Sequence, residues 1–265
     1  MKNKCNGFLF IFPLLLLLAG VVFAQERNRF LLYMKLRKEI DSTQVMSSTF
    51  PYDGKLDSNR IYTDNGVTKV PINFTKAYFL KTTFKDLIDF DKAYFNTIAN
   101  FEDAHFSKKA SFIQTQFFNT ATFRYSKFDS ASIFFGSYFH DIANFDIAKL
   151  DGFTTFQSAT FDSFSYFYGI TFNERANFTT CRFNNLTNFS GAYFKQSADF
   201  NYSKFACKAD FSDSDFNSNV YFNGSEFNEL VDFRGAYFKN ISFFKTKIKN
   251  KLLLGVKFPI VCKFI

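Results

Sequence analysis

Apolar and polar positions along this chain recur on a short, fixed beat. Counting from Phe90, every eleventh residue is phenylalanine: Phe101, Phe112, Phe123, Phe134, Phe145, Phe156, Phe167, Phe178, Phe189, Phe200, Phe211, Phe222, Phe233 and Phe244. A second series, offset by five residues, runs from Phe84 through Phe95, Phe106 and Phe117 to Phe238, and departs from phenylalanine only at Leu150. Two residues before each of these positions stands a small or β-branched residue, as at Ala93, Ala99, Ala104, Thr115, Ser126 and, at the far end, Ala236 and Ser242. The residue between is usually polar or tyrosine, as at Tyr94, Asn100, His105 and Lys127. In–out–in over three residues is the period-two signature of a strand. The residues that follow are rich in Asn, Asp, Ser, Lys and Gly, which suit corners.

An eleven-residue period also marks right-handed coiled coils. At about 3.67 residues per turn, a step of five swings the side chain roughly 130° around a helix, so the two phenylalanine series would form no common seam. Phe, Thr, Asn and Ser are also poor helix formers. The pattern therefore predicts an all-β repeat array.

The tandem unit Ala-x-Phe-x-x, in copies such as Lys92-Ala93-Tyr94-Phe95 and Gly191-Ala192-Tyr193-Phe194, resembles the pentapeptide-repeat family over residues 74–245. The resemblance implies a right-handed quadrilateral parallel β-helix whose central residue and preceding small residue point inward. Here the steps alternate five and six, so four sides make a coil of 22 residues. About seven to eight such coils, at about 4.8 Å each, would give a rod of roughly 35 Å. The phenylalanines from Phe90 to Phe233 are the expected structural core. Small neighbours make room for four rings per coil. A single coil cannot bury its own faces, so stability should come from stacking many.

The flanks lack the repeat. Lys2 and Lys4 precede an apolar run from Phe8 to Ala24, which reads as a signal peptide over 1–24 with Gln25 starting the mature chain; an uncleaved anchor is the alternative. Residues 25–73 are expected to form an N-terminal cap or a spacer, with a short helix at Arg29 to Asp41 and turns after it. Residues 246–265 alternate lysine with apolar stretches and read as a C-terminal cap or tail, with contact to an anionic membrane surface as the alternative.

Composition sharpens this picture. The chain has 44 Phe and no Trp, so phenylalanine replaces the usual aliphatic core. The net charge of +8 is not spread evenly: residues 74–245 carry 17 basic and 18 acidic side chains, whereas 246–265 carry five basic and none acidic. The acidic rod needed to mimic DNA for a topoisomerase is missing, and so is a basic groove for nucleic acid. Cys181, Cys207 and Cys262 have no metal or disulfide spacing.

No catalytic set emerges. His105 and His140 sit next to central phenylalanines at outward positions and read as solvated surface groups. Asp199, Asp210, Asp213, Asp215 and Asp232 crowd the late repeats and read as a solvated face. No phosphate or dinucleotide loop is present. The expectation is an exported (periplasmic, extracellular or envelope) non-enzymatic scaffold without cofactor or metal. Its partner would be a protein or a glycan, with no nucleic acid, and a membrane would be met only through an uncleaved signal or the C-terminal tail. Outward tyrosines, Tyr78, Tyr94, Tyr138, Tyr166, Tyr193, Tyr221 and Tyr237, offer possible surface binding, with Tyr193 and Tyr237 the candidates for a carbohydrate-binding or cell-surface module.

Overall fold

The computed structural model describes residues 77–257 in full and, before them, the strands Thr49–Phe50, Tyr62–Asp64, Val67–Lys69 and Asn73–Phe74. All of these lie in one compact unit, Met46–Ile265. The other unit, Met1–Val45, falls outside the described residues, and with it the signal over 1–24 and the helix expected at Arg29 to Asp41. Residues 258–265 of the tail, with Cys262, also lie outside them.

Two-residue strands recur at four positions per coil. In one coil these are Tyr94–Phe95, Ala99–Asn100, His105–Phe106 and Ala110–Ser111, and the next strand, Gln116–Phe117, lies on the first of them. They define faces one to four. Each strand pairs in parallel with its counterpart 22 residues on, as in Gln116↔Tyr138, Ala121↔Ala143, Lys127↔Lys149 and Ser132↔Thr154. The result is a four-sided β-solenoid of about eight coils, nine strands deep on its first face, as the spacing predicts. Backbone groups find their partners in adjacent coils: Lys127 N–H donates to Ala104 O at 2.8 Å, and Lys149 N–H to Ser126 O at 2.9 Å. A coil in isolation would leave these groups unpaired, so length and stability are coupled.

The alternation of five and six residues comes from two kinds of corner. After faces two and four, the corner has two residues and closes as a turn, with Ala93 N–H donating to Phe90 O at 3.0 Å and Ala104 N–H to Phe101 O at 3.1 Å. The second residue of each such corner has positive φ, the requirement of a type II turn. Glycine meets it at Gly136, Gly169, Gly191, Gly224 and Gly235, yet Ile147 (φ 57°) and Thr180 (φ 59°) meet it as well, an uncommon posture for β-branched side chains. The outward residue before each of these phenylalanines is often Asn, Asp or Thr, for a mechanical reason. Its side-chain oxygen accepts the N–H two residues on, as in Asn100 Oδ1 from Glu102 N, Asn144 Oδ1 from Asp146 N and Asn188 Oδ1 from Ser190 N, at 2.8–2.9 Å. After faces one and three the corner has three residues and no such turn.

Inside, the rings pack in two ways. Along the axis they stack nearly parallel, as Phe101–Phe123 and Phe123–Phe145, both with centroids 4.7 Å apart. Across the interior they meet edge to face, as Phe112–Phe123 and Phe123–Phe134, both at 5.4 Å. Both arrangements suit the aromatic quadrupole. Phe90, Phe101, Phe112 and the first-series phenylalanines through Phe233 are buried, and Leu150 is buried in its column without a ring to stack. Inward hydroxyls are satisfied locally: Ser126 Oγ donates to Phe123 O at 2.6 Å and Ser225 Oγ to Phe222 O at 2.6 Å.

The beat changes at both ends. The corner after Phe216 has three residues, Asn217 to Asn219, but the corner after Phe238 has two, Lys239 and Asn240; the register shifts there. Pairs beyond are 21 residues apart, as in Glu226↔Lys247 and Val231↔Leu252. Phe243, not Phe244, therefore stacks under Phe222, at 5.4 Å, and Phe244 is 65% exposed. The positive-φ corner residue is accordingly Lys245, and Ile241 rather than Ser242 packs against the core. This corrects the eleven-residue count at its last step. The ladder also continues beyond residue 245, through Lys247–Ile248 and Leu252–Lys257. Before residue 74, Val67–Lys69 pairs with Leu87–Asp89, 20 residues on, and Thr49–Phe50 pairs with Thr83–Phe84, 34 residues on.

Candidate functional site

With the interior filled by rings, chemistry is confined to outward and corner positions. The late carboxylates turn out to be largely structural. Asp199, Asp210 and Asp232 each accept the N–H two residues on, at 3.0–3.1 Å. Asp232 is not the solvated group that the sequence suggests: its side chain is 1% exposed and is clasped by Arg234, Nη2 to Oδ2 at 2.7 Å and Nε to Oδ1 at 3.0 Å. The Arg234 guanidinium holds the Asp232 carboxyl below the usual carboxylate range. Asp146 goes the other way. Burial pushes its carboxyl up to about 6, against the opposing pull of the Tyr168 N–H and Arg124.

Neither histidine is a free surface group. His105, on face three, bonds Asp129 at 2.6 Å, and Lys127 bonds the same carboxylate at 2.6 Å. Burial works to raise the Asp129 carboxyl, but these two partners outweigh it and hold it low. His140, at the corner after face one, is half-buried, with Nε2 3.0 Å from Gln116 Oε1 and Nδ1 3.7 Å from Asp162. No acid–base–nucleophile set surrounds either histidine. Cys181 is an inward group whose thiol faces Phe156 O at 2.9 Å, and burial pushes its pKa well up. Burial, and then the Glu229 charge, raise the Cys207 thiol as well. Both thiols are thus poor nucleophiles. Among the described residues, no group of three or more His, Cys, Asp or Glu is placed to hold a metal ion.

The most developed surface feature is an aromatic ladder on face one and its adjoining corner. Tyr94 stacks on Phe118 at 6.2 Å, Phe118 on His140 at 4.6 Å, and His140 on Tyr138 at 4.2 Å. Phe118 is 42% exposed and Tyr94 40%. Burial, and then a hydrogen bond with Asp162, raise the pKa of the Tyr138 phenol. The sequence reading singled out Tyr94 and Tyr138 but missed Phe118 and the role of His140. The signal was present: aligning the chain in rows of 22 puts Phe118, His140 and Asp162 in one column.

The outward tyrosines do not form one strip. Tyr94 and Tyr138 lie on face one, Tyr78 and Tyr166 on face two, Tyr193 and Tyr237 on face three, and Tyr221 on face four. Tyr193 and Tyr237 are thus brought onto one face, two coils or about 10 Å apart, with Asp215 between them in the ladder. Asp215 Oδ1 is buried and has no hydrogen-bond partner.

The chain was compared with known proteins. The family model described as "Pentapeptide repeats (9 copies)" matches residues 178–226 and 189–237. No curated protein sequence matches the chain. Solved structures similar to it include HetL, a pentapeptide repeat protein involved in heterocyst differentiation regulation from the cyanobacterium Nostoc sp. strain PCC 7120. The match has 10% identity and a TM-score of 0.24, and covers 73% of this chain and 90% of that one. The matched repeats fall inside the Phe-centred array, and the coils before them share its register and corners; the solenoid of this chain is a pentapeptide-repeat β-helix, drawn out to alternating steps of five and six residues.

Proposed function

We propose that this chain is an exported, non-enzymatic scaffold of the cell envelope that presents one face of its β-helix to a protein partner. The observation that carries the reading is the Tyr94–Phe118–His140–Tyr138 ladder. It is a part-exposed aromatic cluster on a rigid lattice, rimmed by Gln116 and Asp162, and aromatic groups with a polar rim are favoured at protein interfaces. The rings stack on one another and offer mainly their edges, which suits packing against protein side chains better than face-on contact with a sugar. Export rests on the basic start and apolar run before Gln25. The test joins cell fractionation and N-terminal sequencing with photo-cross-linking from position 116. A cross-linked envelope protein that disappears in Phe118→Asp but persists in Tyr193→Ala/Tyr237→Ala supports the reading. A cytoplasmic chain with an intact N-terminus, or cross-links indifferent to Phe118→Asp, defeats it.

A second reading has its own observation. Tyr193 and Tyr237 share face three with a carboxylate between them, and their rings are not used in stacking among the described residues. A carbohydrate laid along the rod would meet two aromatic faces and one acceptor. Glycan-array binding that is lost in Tyr193→Ala/Tyr237→Ala and kept in Phe118→Asp would favour it.

A further inference from the structure

The charge of the solenoid is polarised along its length. Residues 233–265 contain eight Lys or Arg and no Asp or Glu. Within the described part, Lys245, Lys247, Lys249, Lys251 and Lys257 are all exposed and are carried by the last coil and the strand that follows it. Glu226 accounts for two of them, Lys247 at 3.2 Å and Lys249 at 3.8 Å. Lys245, Lys251 and Lys257 have no carboxylate within ion-pair distance among the described residues. The Lys245 ammonium instead lies 5.2 Å from the centre of the Phe244 ring.

The same end is unusually apolar for a surface. Phe244 is 65% exposed and Leu254 60%, and Leu252, Leu253 and Val256 beside them are only half-buried. Phe244 reaches solvent because the two-residue corner after Phe238 slips the register and gives the inward place to Phe243. Earlier coils show neither property. Their charges balance, and their corner lysines sit among carboxylates, as Lys108 with Asp86 and Lys127 with Asp129.

We infer that the C-terminal end of the solenoid docks on an anionic lipid surface, with the lysines meeting lipid phosphates and Phe244 and Leu254 entering the headgroup–acyl boundary. Charge complementarity selects the occupant. Unpaired lysines without counter-charge gain from a negative surface potential, and apolar residues interleaved with them add burial at the interface. Nucleic acid shares the phosphates, but its recognition stacks bases on aromatic platforms. The apolar groups here are mostly aliphatic and sit at the end of the rod, not along a groove, so a lipid interface fits them better.

The experiment uses the full chain with vesicles of neutral phosphatidylcholine, and with vesicles containing about one third phosphatidylglycerol, at low and at 0.5 M salt. Three variants are compared: Lys245→Gln/Lys251→Gln/Lys257→Gln, Phe244→Ser/Leu254→Ser, and Lys81→Gln/Lys92→Gln as a charge control at the opposite end. Circular dichroism checks that each retains the β spectrum. The expected result is binding to anionic vesicles that falls at least tenfold in high salt and in the triple-lysine variant, falls severalfold in the apolar variant, and is unchanged in the control. Equal binding to neutral vesicles, or binding that the triple-lysine variant leaves intact, would place the contact elsewhere, for example in the apolar run before Ala24, and overturn the proposal. Binding to duplex or single-stranded DNA without vesicle binding would overturn it too.

Discussion

Replacing Phe123 with leucine, and separately Phe128 with leucine, measures what ring stacking adds to mere burial in this core. Both side chains are fully buried, and leucine keeps each site apolar. Their ring environments differ. Phe123 stacks on Phe101 and Phe145, both at 4.7 Å, and meets Phe112 and Phe134 edge to face, both at 5.4 Å. Phe128 stacks on Phe106 at 4.3 Å, but its other axial neighbour is Leu150, and its edge contact with Phe134 is a distant 6.3 Å. Phe123 thus has one more stack and two more close edge contacts than Phe128. At about 0.5–1.5 kcal/mol per aromatic pair beyond area burial, three pairs give about 1.5–4.5 kcal/mol. Leucine recovers part of this by packing, so Phe123→Leu should destabilise by about 1.5 kcal/mol more than Phe128→Leu. Urea unfolding supplies the global number. Native-state hydrogen exchange should accompany it, because a repeat array can lose coils locally before it unfolds as a whole. Equal destabilisation by the two substitutions would refute the idea that registered ring stacking, rather than apolar volume, stabilises the columns.

Other substitutions and titrations probe the corners. Arg234→Ala leaves the Asp232 carboxylate buried without its guanidinium and should cost about 3 kcal/mol in a denaturant melt at neutral pH, more than Asp232→Asn. The gap should narrow below the depressed folded pKa of Asp232, as the carboxyl protonates. Asp146 titrates in the opposite sense: its folded pKa of about 6 lies above the ordinary 3.8, so the folded state binds more protons than the unfolded one between these values. Its contribution to stability therefore falls as pH rises through that window, and Asp146→Asn should remove this component from a pH series of melts. At Gly152 an added Cβ would lie 2.4 Å from the backbone carbon of Ser130 in the coil before. Gly152→Ala should therefore destabilise by about 1–3 kcal/mol through forced separation of two coils, read as a lower melting temperature.

The parts of this fold most legible from residues were those the coil repeats. The 22-residue period, the inward phenylalanines and the small residues beside them could be read because each constraint is imposed again and again by the same geometry. Leu150 did not disturb the reading, since the site needs an apolar group more than a ring. What stayed hidden depends on a single event. Phe243 and Phe244 are adjacent, so a count by elevens lands on phenylalanine whether or not the corner after Phe238 has lost a residue; only the pairing Asn219↔Asn240 reveals the slip. The Asn and Asp residues before the first-series phenylalanines looked like ordinary exposed polar groups because their task, accepting an N–H at a two-residue corner, is visible only once the two corner types are distinguished. The surface ladder was half-legible. Tyr94 and Tyr138 stood out as aromatics in outward strand positions, whereas Phe118 and His140 lie one residue past their inward phenylalanines, and their stacking requires the register between coils. Tyr193 and Tyr237 were readable as outward groups, but the carboxylate between them again follows from cross-coil alignment.

The stacking of coils can be measured as a ruler. Spin labels placed on face three at His105 paired with Thr171, Tyr193 or Asp215 span three, four and five coils in the ladder. Pulsed dipolar spectroscopy should give separations rising by about 4.8 Å for every 22 residues, to roughly 24 Å for the longest pair. Distances that grow by tens of ångströms per step, as an extended helix with its rise of about 1.5 Å per residue would give, or that show no regular increment, would contradict the registered β-helix on which the rest of the account stands.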